Sequence, residues 1–286
     1  MSEKILVTGA TGKGGSEVVR LLAARGTAVK AATRRPERAR AAFAGGVEVV
    51  ELDYDRAETY DAAVEWVDRL FLVPPPFDPR AYQMLSSFVD WAVQAGCRHL
   101  VSLSAMGIEE RDDLALRRLE RHIEQTGVRH TFLRPNIYMQ NFHPGFLGKE
   151  IREEGAFHLP GAEARVSLVD SRDVAAVAAE ALGSDGHFGE AHTLTGPEAL
   201  DHEGVAHLLS EATGRTVRYV PIDDGSMAER LRERGWHEEQ VEVVLDFFRT
   251  IRSGVRSRVT DDVETILHRP ATSFADFARE HAAAWS

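Results

Sequence analysis

A glycine-rich segment near the start of the sequence has the residue types and spacing of a phosphate-binding loop. It reads Gly9-Ala10-Thr11-Gly12-Lys13-Gly14-Gly15 and fits the pattern G-x-x-G-x-x-G. The first glycine permits a tight turn, the second lets the backbone approach a diphosphate, and the third lets the following helix pack on the preceding strand. The N-terminus of that helix would bind phosphate oxygens. The pattern therefore predicts a dinucleotide site that includes Gly9, Thr11, Gly12, Lys13, Gly14 and Gly15.

The residues about 20 positions beyond the glycines indicate which dinucleotide fits. A site for NAD usually has an acidic side chain there, which binds the ribose 2′-hydroxyl. This sequence has Thr33-Arg34-Arg35 at that place, and the first acidic residue after Thr33 is Glu37. Guanidinium groups bind a 2′-phosphate through paired, charge-assisted hydrogen bonds. We therefore expect NADP(H), held mainly by Arg34 with help from Lys13 and Arg35. The alternative is that both arginines are solvated surface charges.

Strand-like and helix-like segments alternate through the first half of the chain. Apolar strand segments lie at 5–7, 29–33, 47–52, 69–73, 99–103 and 128–133, and helical segments at 14–25, 59–67, 82–95 and 114–125, with a further helix opening at Pro36. This alternation is typical of a parallel sheet covered by helices on both faces, in which ligands bind outside the carboxyl ends of the strands. The sequence therefore predicts the α/β class with a doubly wound parallel sheet.

The second half of the chain follows a weaker pattern. Residues 166–169 and 193–195 are strand-like, 171–182 form an alanine-rich helix, and the chain from His202 onward is mostly helical. We interpret 1–140, with about 164–182, as the NADP-binding domain, and 141–163 with 183–286 as a smaller, mostly helical substrate lobe. Because ligand pockets are mostly apolar, aromatic residues of this half are candidates for a substrate pocket or, alternatively, for its core. The chosen candidates are Phe142, Phe146 and Trp236.

The composition limits the class of protein. The chain has 286 residues, with 34 Lys and Arg against 45 Asp and Glu, and a formal net charge of −11. The surplus of acid argues against nucleic-acid binding, and no apolar run approaches the roughly 20 residues of a membrane-spanning helix. A single cysteine, Cys97, excludes an intramolecular disulfide, and the 12 histidines are scattered without an H-x-x-x-H or H-E-x-x-H pairing. We expect a cytoplasmic protein that acts on a hydrophobic small molecule without metal. The sequence does not indicate its oligomeric state.

An ordered set of short segments extends through nearly the whole chain. These segments are Ile5–Gly12, Phe71–Pro76, Leu103–Ala105, Leu133–Asn136, Met139–Phe142, Leu194–Glu198 and Val259–Val263. In this order they resemble the NmrA-like atypical short-chain dehydrogenases, especially the branch with bacterial NAD(P)-binding oxidoreductases, which is related to quinone reductases, and fungal ergot-alkaloid dehydrogenases. The resemblance implies a Rossmann-type domain with a small, variable substrate lobe.

The resemblance also implies further cofactor contacts. It places Asp53 near the adenine, Val73 and Pro74 along the cofactor, and Pro135-Asn136-Ile137 near the nicotinamide. The plain alternatives are that Asp53 caps the turn after its strand and that the prolines only end strands.

The acid–base pair of ordinary short-chain dehydrogenases is missing. That pair is Tyr and Lys spaced Y-x-x-x-K, yet none of the five tyrosines has a lysine four residues later. Leu116 aligns with a position at which relatives often have Lys, Tyr or His. Three candidates for catalysis remain, Ser104, Tyr138 and His143, and for His143 we favour a surface or lid histidine. Ser104 lies where the family's active-site serine falls, and Tyr138 follows the sixth strand. Turn capping for Ser104 and aromatic packing beside Phe142 for Tyr138 are the alternatives.

The missing pair favours certain substrates. An electron-poor acceptor can take hydride without a strong protein acid, because water supplies any proton and catalysis depends on positioning. We therefore expect an NADPH-dependent oxidoreductase that reduces a hydrophobic quinone, enone or imine in secondary metabolism. Two rivals stay open. One is a redox sensor that binds NADP(H) and acts on a partner protein, and the other is an enzyme that uses the cofactor for cyclisation or coupling without net redox change.

Overall fold

The computed structural model describes residues 3–43 and 45–286, in which strands and helices alternate from the first strand onward. The strands are β1 (Lys4–Val7), β2 (Ala28–Thr33), β3 (Val47–Glu51), β4 (Arg69–Leu72), β5 (His99–Leu103), β6 (Arg129–Pro135), β7 (Ala156–Leu159), β8 (Ala191–Leu194) and β9 (Arg218–Pro221). The helices are α1 (Lys13–Ala24), α2 (Pro36–Ala42), α3 (Tyr60–Val64), α4 (Ala81–Gln94), α5 (Ala115–Thr126), α6 (Gly148–Glu154), α7 (Ser171–Gly183), α8 (His202–Thr213), α9 (Asp224–Glu233), α10 (Glu238–Arg252), α11 (Asp262–Leu267) and α12 (Phe274–His281). Short 3₁₀ helices lie at Ala57–Thr59, Met139–Asn141, Val255–Ser257 and Ala282–Ala284. Across the described ranges, no helix has the length and apolar character needed to cross a membrane.

One sheet contains seven of the strands in the order β3-β2-β1-β4-β5-β6-β8. It is a parallel sheet, in which Ile5 lies opposite both Val29 and Arg69. The strand order reverses between β1 and β4, and open α/β sheets bind ligands at such a switch point, outside the carboxyl ends of the strands. The prediction of an α/β, Rossmann-type doubly wound sheet is confirmed.

The chain divides into two compact units. Unit 1 contains the described residues of Met1–Pro76, Arg80–Arg134 and Val174–Thr193, and unit 2 contains Phe77–Pro79, Pro135–Asp173 and Leu194–Ser286. The sequence-based limits place 77–79, 135–140 and 164–173 in the cofactor domain, whereas these residues fall in unit 2. They place 183–193 in the substrate lobe, whereas these residues fall in unit 1. The functional division into a cofactor domain and a substrate lobe stays a prediction.

Each unit has its own apolar core. In unit 1, strand residues such as Leu70 and Leu100 pack with Leu85 and Phe88 of α4. In unit 2, the core draws on helices and on a second, two-stranded parallel sheet of β7 and β9. This small sheet was not predicted, because its two short strands lie about 60 residues apart in sequence and their pairing depends on tertiary packing. The predicted strand at 166–169 is wrong: the segment forms only isolated bridges, Tyr138–Val169 and Val166–Leu200.

A histidine at the start of β5 is buried in its neutral form. His99 is 1% exposed, and its Nε2 lies 2.9 Å from the Thr131 Oγ1. The Thr131 hydroxyl donates its single proton to the His187 carbonyl, so it accepts from Nε2–H of His99. Burial, assisted by the positive charge of Arg69, lowers the pKa of His99 to about 4.

This histidine should make stability depend on pH. In the unfolded chain His99 is protonated below about pH 6.5, whereas in the native protein it stays neutral down to about pH 4. Protonation therefore favours the unfolded chain, and the free energy of unfolding falls as the pH is lowered across that window. We expect a loss of about 3 kcal/mol from His99 between pH 7 and pH 4. Urea unfolding across this range measures it. His99→Gln, which keeps an N–H donor, should reduce the dependence without removing it, because burial also lowers the pKa of His202 to about 4. An unchanged slope in that variant would contradict the assignment.

Candidate functional site

Thr8 links the carboxyl end of β1 to that of β4 by hydrogen bonds. Its N–H and its hydroxyl both donate to the Phe71 carbonyl, at 3.0 and 3.1 Å, and its hydroxyl oxygen accepts from the Val73 N–H at 2.8 Å. The side chain is fully buried. The two strands that flank the switch point are therefore held in register where the glycine loop begins.

The glycine loop turns sharply and lies close against its own helix. Gly9 adopts φ +59°, a conformation that favours glycine, and its carbonyl accepts from the Gly12 N–H at 2.9 Å. A Cβ added to Gly15 would lie 2.3 Å from the Gly9 oxygen. A Cβ added to Gly14 would meet no atom within 4 Å. The loop thus requires glycine at 15 for its own packing and leaves open space beside Gly14.

The N-terminus of α1 is left without a protein cap. Gly12 occupies the N-cap position, no side chain caps the helix, and its first turn contains no acidic residue. First-turn N–H groups lack partners within a helix, and the helix dipole places partial positive charge there. The open space beside Gly14 adjoins these groups, so the residues present fit the diphosphate of a dinucleotide.

The end of β2 lies against the tip of this loop. The Thr33 and Thr11 hydroxyl oxygens are 3.2 Å apart, and the Arg35 N–H donates to Thr33 at 3.2 Å. The next residue after Thr33, Arg34, is exposed, and its guanidinium forms no hydrogen bond or ion pair with any residue in 3–43 or 45–286. Arg35 and Lys13 are also exposed. The structure thus leaves Arg34 available beside the loop, and its contact with a 2′-phosphate stays a prediction.

Asp53, after β3, has one oxygen committed to the local turn. Its Oδ1 accepts from the Asp55 N–H at 3.1 Å, and its own N–H donates to the Thr59 hydroxyl at 3.1 Å. The turn-capping alternative therefore describes part of what Asp53 does, while Oδ2 has no partner among the described residues. After β4, Val73 lies close to Gly9 and, like Pro74, is partly exposed.

Asn136 uses its amide within unit 2. The residue is 4% exposed, and its Nδ2 donates to the Ser167 hydroxyl at 2.7 Å and to the Arg256 carbonyl at 2.8 Å. Both amide protons are thus engaged with residues that sequence reasoning did not single out. Its neighbours Pro135 and Ile137 are buried and partly buried. The contact of this segment with a nicotinamide stays a prediction.

The aromatic candidates of unit 2 lie in different environments. Phe142 is 2% exposed and packs against Phe157 and Phe274, whereas Phe146 is 47% exposed. Trp236 is partly buried and packs against Phe77, with the two ring centroids 6.1 Å apart. The pocket roles of Phe142, Phe146 and Trp236 stay predictions. Phe77 was missed by the sequence reasoning. It follows the Pro74-Pro75-Pro76 run and adopts φ +54°, a strained conformation for a non-glycine residue.

Tyr138 immediately precedes the 3₁₀ helix at Met139–Asn141 and is partly exposed. Burial raises the pKa of its hydroxyl, which holds the group protonated at neutral pH. No residue in the described part of the chain hydrogen-bonds to that hydroxyl. Tyr138 could therefore give a hydrogen bond to a ligand, and its catalytic role stays a prediction.

Ser104 belongs to a buried polar cluster at the carboxyl end of β5. Its hydroxyl oxygen lies 2.7 Å from the Glu120 Oε1, and the two residues are 8% and 1% exposed. Two guanidinium groups share the same carboxylate, those of Arg134 and Arg117. Glu120 lies four residues after Leu116 on α5. The helix thus presents leucine and glutamate at the Y-x-x-x-K spacing.

The comparison with known proteins identifies the family. The model of the NmrA-like family matches residues 1–252. The chain belongs to the NmrA-like family. The resemblance inferred from the ordered segments is confirmed.

Proteins of similar sequence include several reductases. The chain is 36% identical over 285 residues to an NAD(P)H azoreductase of Xenophilus azovorans, covering 98% of this chain and 99% of that protein. It is 37% identical over 291 residues to a (4-alkanoyl-5-oxo-2,5-dihydrofuran-3-yl)methyl phosphate reductase of Streptomyces griseus, with 99% of each chain covered. The triphenylmethane reductase of Citrobacter sp., solved with NADP(H), superimposes with a TM-score of 0.83 at 26% identity, covering 98% of this chain and 99% of that one.

Proposed function

We propose that this protein transfers hydride from NADPH to an electron-poor, hydrophobic organic acceptor such as a quinone, enone or imine. As an NmrA-like protein whose relatives of similar length include an NAD(P)H azoreductase and a second reductase, it is an NAD(P)H-dependent oxidoreductase. The names of the relatives extend the proposed acceptors to azo compounds and to unsaturated lactones.

The observation that carries the proposal is the geometry of the glycine loop. The uncapped N-terminus of α1 adjoins open space beside Gly14, and Gly15 admits no side chain. These features fit a bound diphosphate. Arg34, exposed and unpartnered among the described residues, supports NADP(H) over NAD(H), because its guanidinium can form paired bonds with a 2′-phosphate.

In this proposal the residues of this chain bind and orient the cofactor and take little part in proton transfer. When bound, NADPH supplies a hydride from C4 of its nicotinamide. The α1 N-terminus and Arg34 would hold the two phosphate-bearing parts of the cofactor and so fix its position. Leu116 has no proton to give, and Ser104 has its proton committed to Glu120. This chemistry suits acceptors that take hydride readily and obtain their proton from water.

An acceptor panel tests the proposal. With NADPH, we expect a naphthoquinone, an azo dye and a cyclic enone to accelerate cofactor oxidation. A simple ketone such as cyclohexanone should react with a kcat/KM at least about 100-fold lower, because general acid catalysis typically contributes that much and no acid pair is present. The same panel with NADH is the control for cofactor choice. Ready reduction of the ketone without reduction of the quinone would overturn the acceptor class.

A further inference from the structure

The direction of the hydrogen bond between Ser104 and Glu120 follows from their chemistry. Glu120 is held ionised, because the guanidinium of Arg134, the Ser104 hydroxyl and Arg117 keep the pKa of its carboxyl below the usual range in spite of burial. An ionised carboxylate only accepts hydrogen bonds, and a serine hydroxyl has a single proton. At 2.7 Å, Ser104 must therefore donate that proton to the Glu120 Oε1.

The arginines fix Glu120 in the orientation that holds this proton. Arg134 binds it in bidentate fashion, with Nε 3.0 Å from Oε1 and Nη2 2.8 Å from Oε2. The Arg117 Nη1 donates to Oε2 at 2.6 Å. With two donors on each oxygen, the carboxylate has little freedom to rotate away. The Ser104 backbone is also fixed, since its N–H donates to the Leu133 carbonyl at 2.7 Å.

We propose that Ser104 is a hydrogen-bond acceptor toward the substrate, and that Glu120 is the positioning residue that sets this polarity. The inference rests on the proposed function, because the ligand concerned is the hydride acceptor. Because the proton of the Ser104 hydroxyl is donated to Glu120, this hydroxyl offers a ligand its oxygen lone pairs. They recognise an O–H or N–H group. The substrate is therefore an electron-poor acceptor with a hydroxyl or N–H donor close to its reducible centre.

A matched pair of quinones tests this polarity. 2-(Hydroxymethyl)-1,4-naphthoquinone has a donor where 2-ethyl-1,4-naphthoquinone has a methyl group of similar size. Binding of each to the protein–NADP⁺ complex is measured by quenching of tryptophan fluorescence, and turnover is measured separately with NADPH. One hydrogen bond should give the hydroxymethyl compound about 5-fold tighter binding and a lower KM at similar kcat.

Three variants separate positioning from a merely structural role. Ser104→Ala should abolish the preference by weakening the binding of the hydroxymethyl compound, and Ser104→Thr, which keeps the hydroxyl, should retain it. Glu120→Gln should also lose the preference, because an amide N–H can donate to Ser104 and release its proton. If the glutamine variant does not fold, Ser104→Ala still decides.

The possible results separate a failure of the inference about Ser104 from a failure of the proposed function. A wild-type protein that oxidises NADPH with both quinones but shows no preference would overturn the inference and leave the proposed function standing. A large fall in kcat for both quinones in Ser104→Ala, with the preference intact, would instead make Ser104 a proton donor. Absence of both binding and NADPH oxidation would overturn the proposed function and the inference together.

Discussion

Arg34→Glu is expected to raise the Kd for NADPH at least about 100-fold. The change removes paired, charge-assisted hydrogen bonds to the 2′-phosphate and places a like charge beside it. NADH lacks that phosphate, so its Kd should change little, and the preference between the two cofactors should collapse or invert. Titration of the protein with each cofactor, followed by nicotinamide fluorescence, measures both constants.

Arg40→Glu is the matched control for this change. Arg40 lies on α2 and is exposed, and the substitution alters the net charge by the same amount. It should affect NADPH binding only through weak, screened long-range electrostatics. If Arg34→Glu binds NADPH as tightly as Arg40→Glu, then Arg34 is a solvated surface charge and the 2′-phosphate is held elsewhere.

Gly15→Ala is expected to lower the free energy of unfolding by about 3 kcal/mol and to abolish measurable cofactor binding. The new Cβ would lie 2.3 Å from the Gly9 carbonyl oxygen and 2.8 Å from its carbon, so the loop and the start of α1 must separate. Overpacking against backbone has a cost at the upper end of the usual range. Thermal unfolding with and without NADPH measures both effects.

Gly14→Ala provides the comparison within the same loop. Its added Cβ meets no protein atom within 4 Å, so the fold should be retained at close to wild-type stability. The methyl group would occupy the open space beside the helix N-terminus, where a diphosphate fits. Cofactor binding should therefore weaken without loss of folding. Equal unfolding temperatures for Gly14→Ala and Gly15→Ala would contradict the account of the loop.

The large sheet could be predicted from sequence because its signals are local. β1 to β6 are short apolar runs separated by helical patterns, and Gly26, Pro36 and Gly96 mark the joints between them. The sheet of β7 and β9 could not be predicted in this way. Its strands are four residues long and about 60 residues apart in sequence, and their pairing depends on tertiary packing that no local pattern records.

In the candidate site, too, features that depend on local spacing could be predicted, whereas features that depend on tertiary packing could not. The position of the glycine loop and of Arg34 beside it could be predicted, since both depend on spacing within one βαβ unit, while their contacts with a cofactor stay predictions. The link between Ser104 and Glu120 was not, because it joins a residue after β5 to one on α5 and depends on Arg134 at the end of β6. One signal was present in the sequence: Glu120 lies next to Leu119 on the buried face of α5, where a charge requires partners.

A single-turnover experiment tests the central claim most directly. The protein is loaded with one equivalent of NADPH and mixed with 1,4-naphthoquinone or an azo dye, and the nicotinamide fluorescence is followed. Hydride transfer predicts tight binding followed by a decay whose rate rises with acceptor concentration, together with reduced acceptor in equal amount. Fluorescence that stays constant with quinone, azo, enone and imine acceptors, despite tight NADPH binding, would contradict the account and favour a cofactor-binding sensor or an enzyme without net redox change.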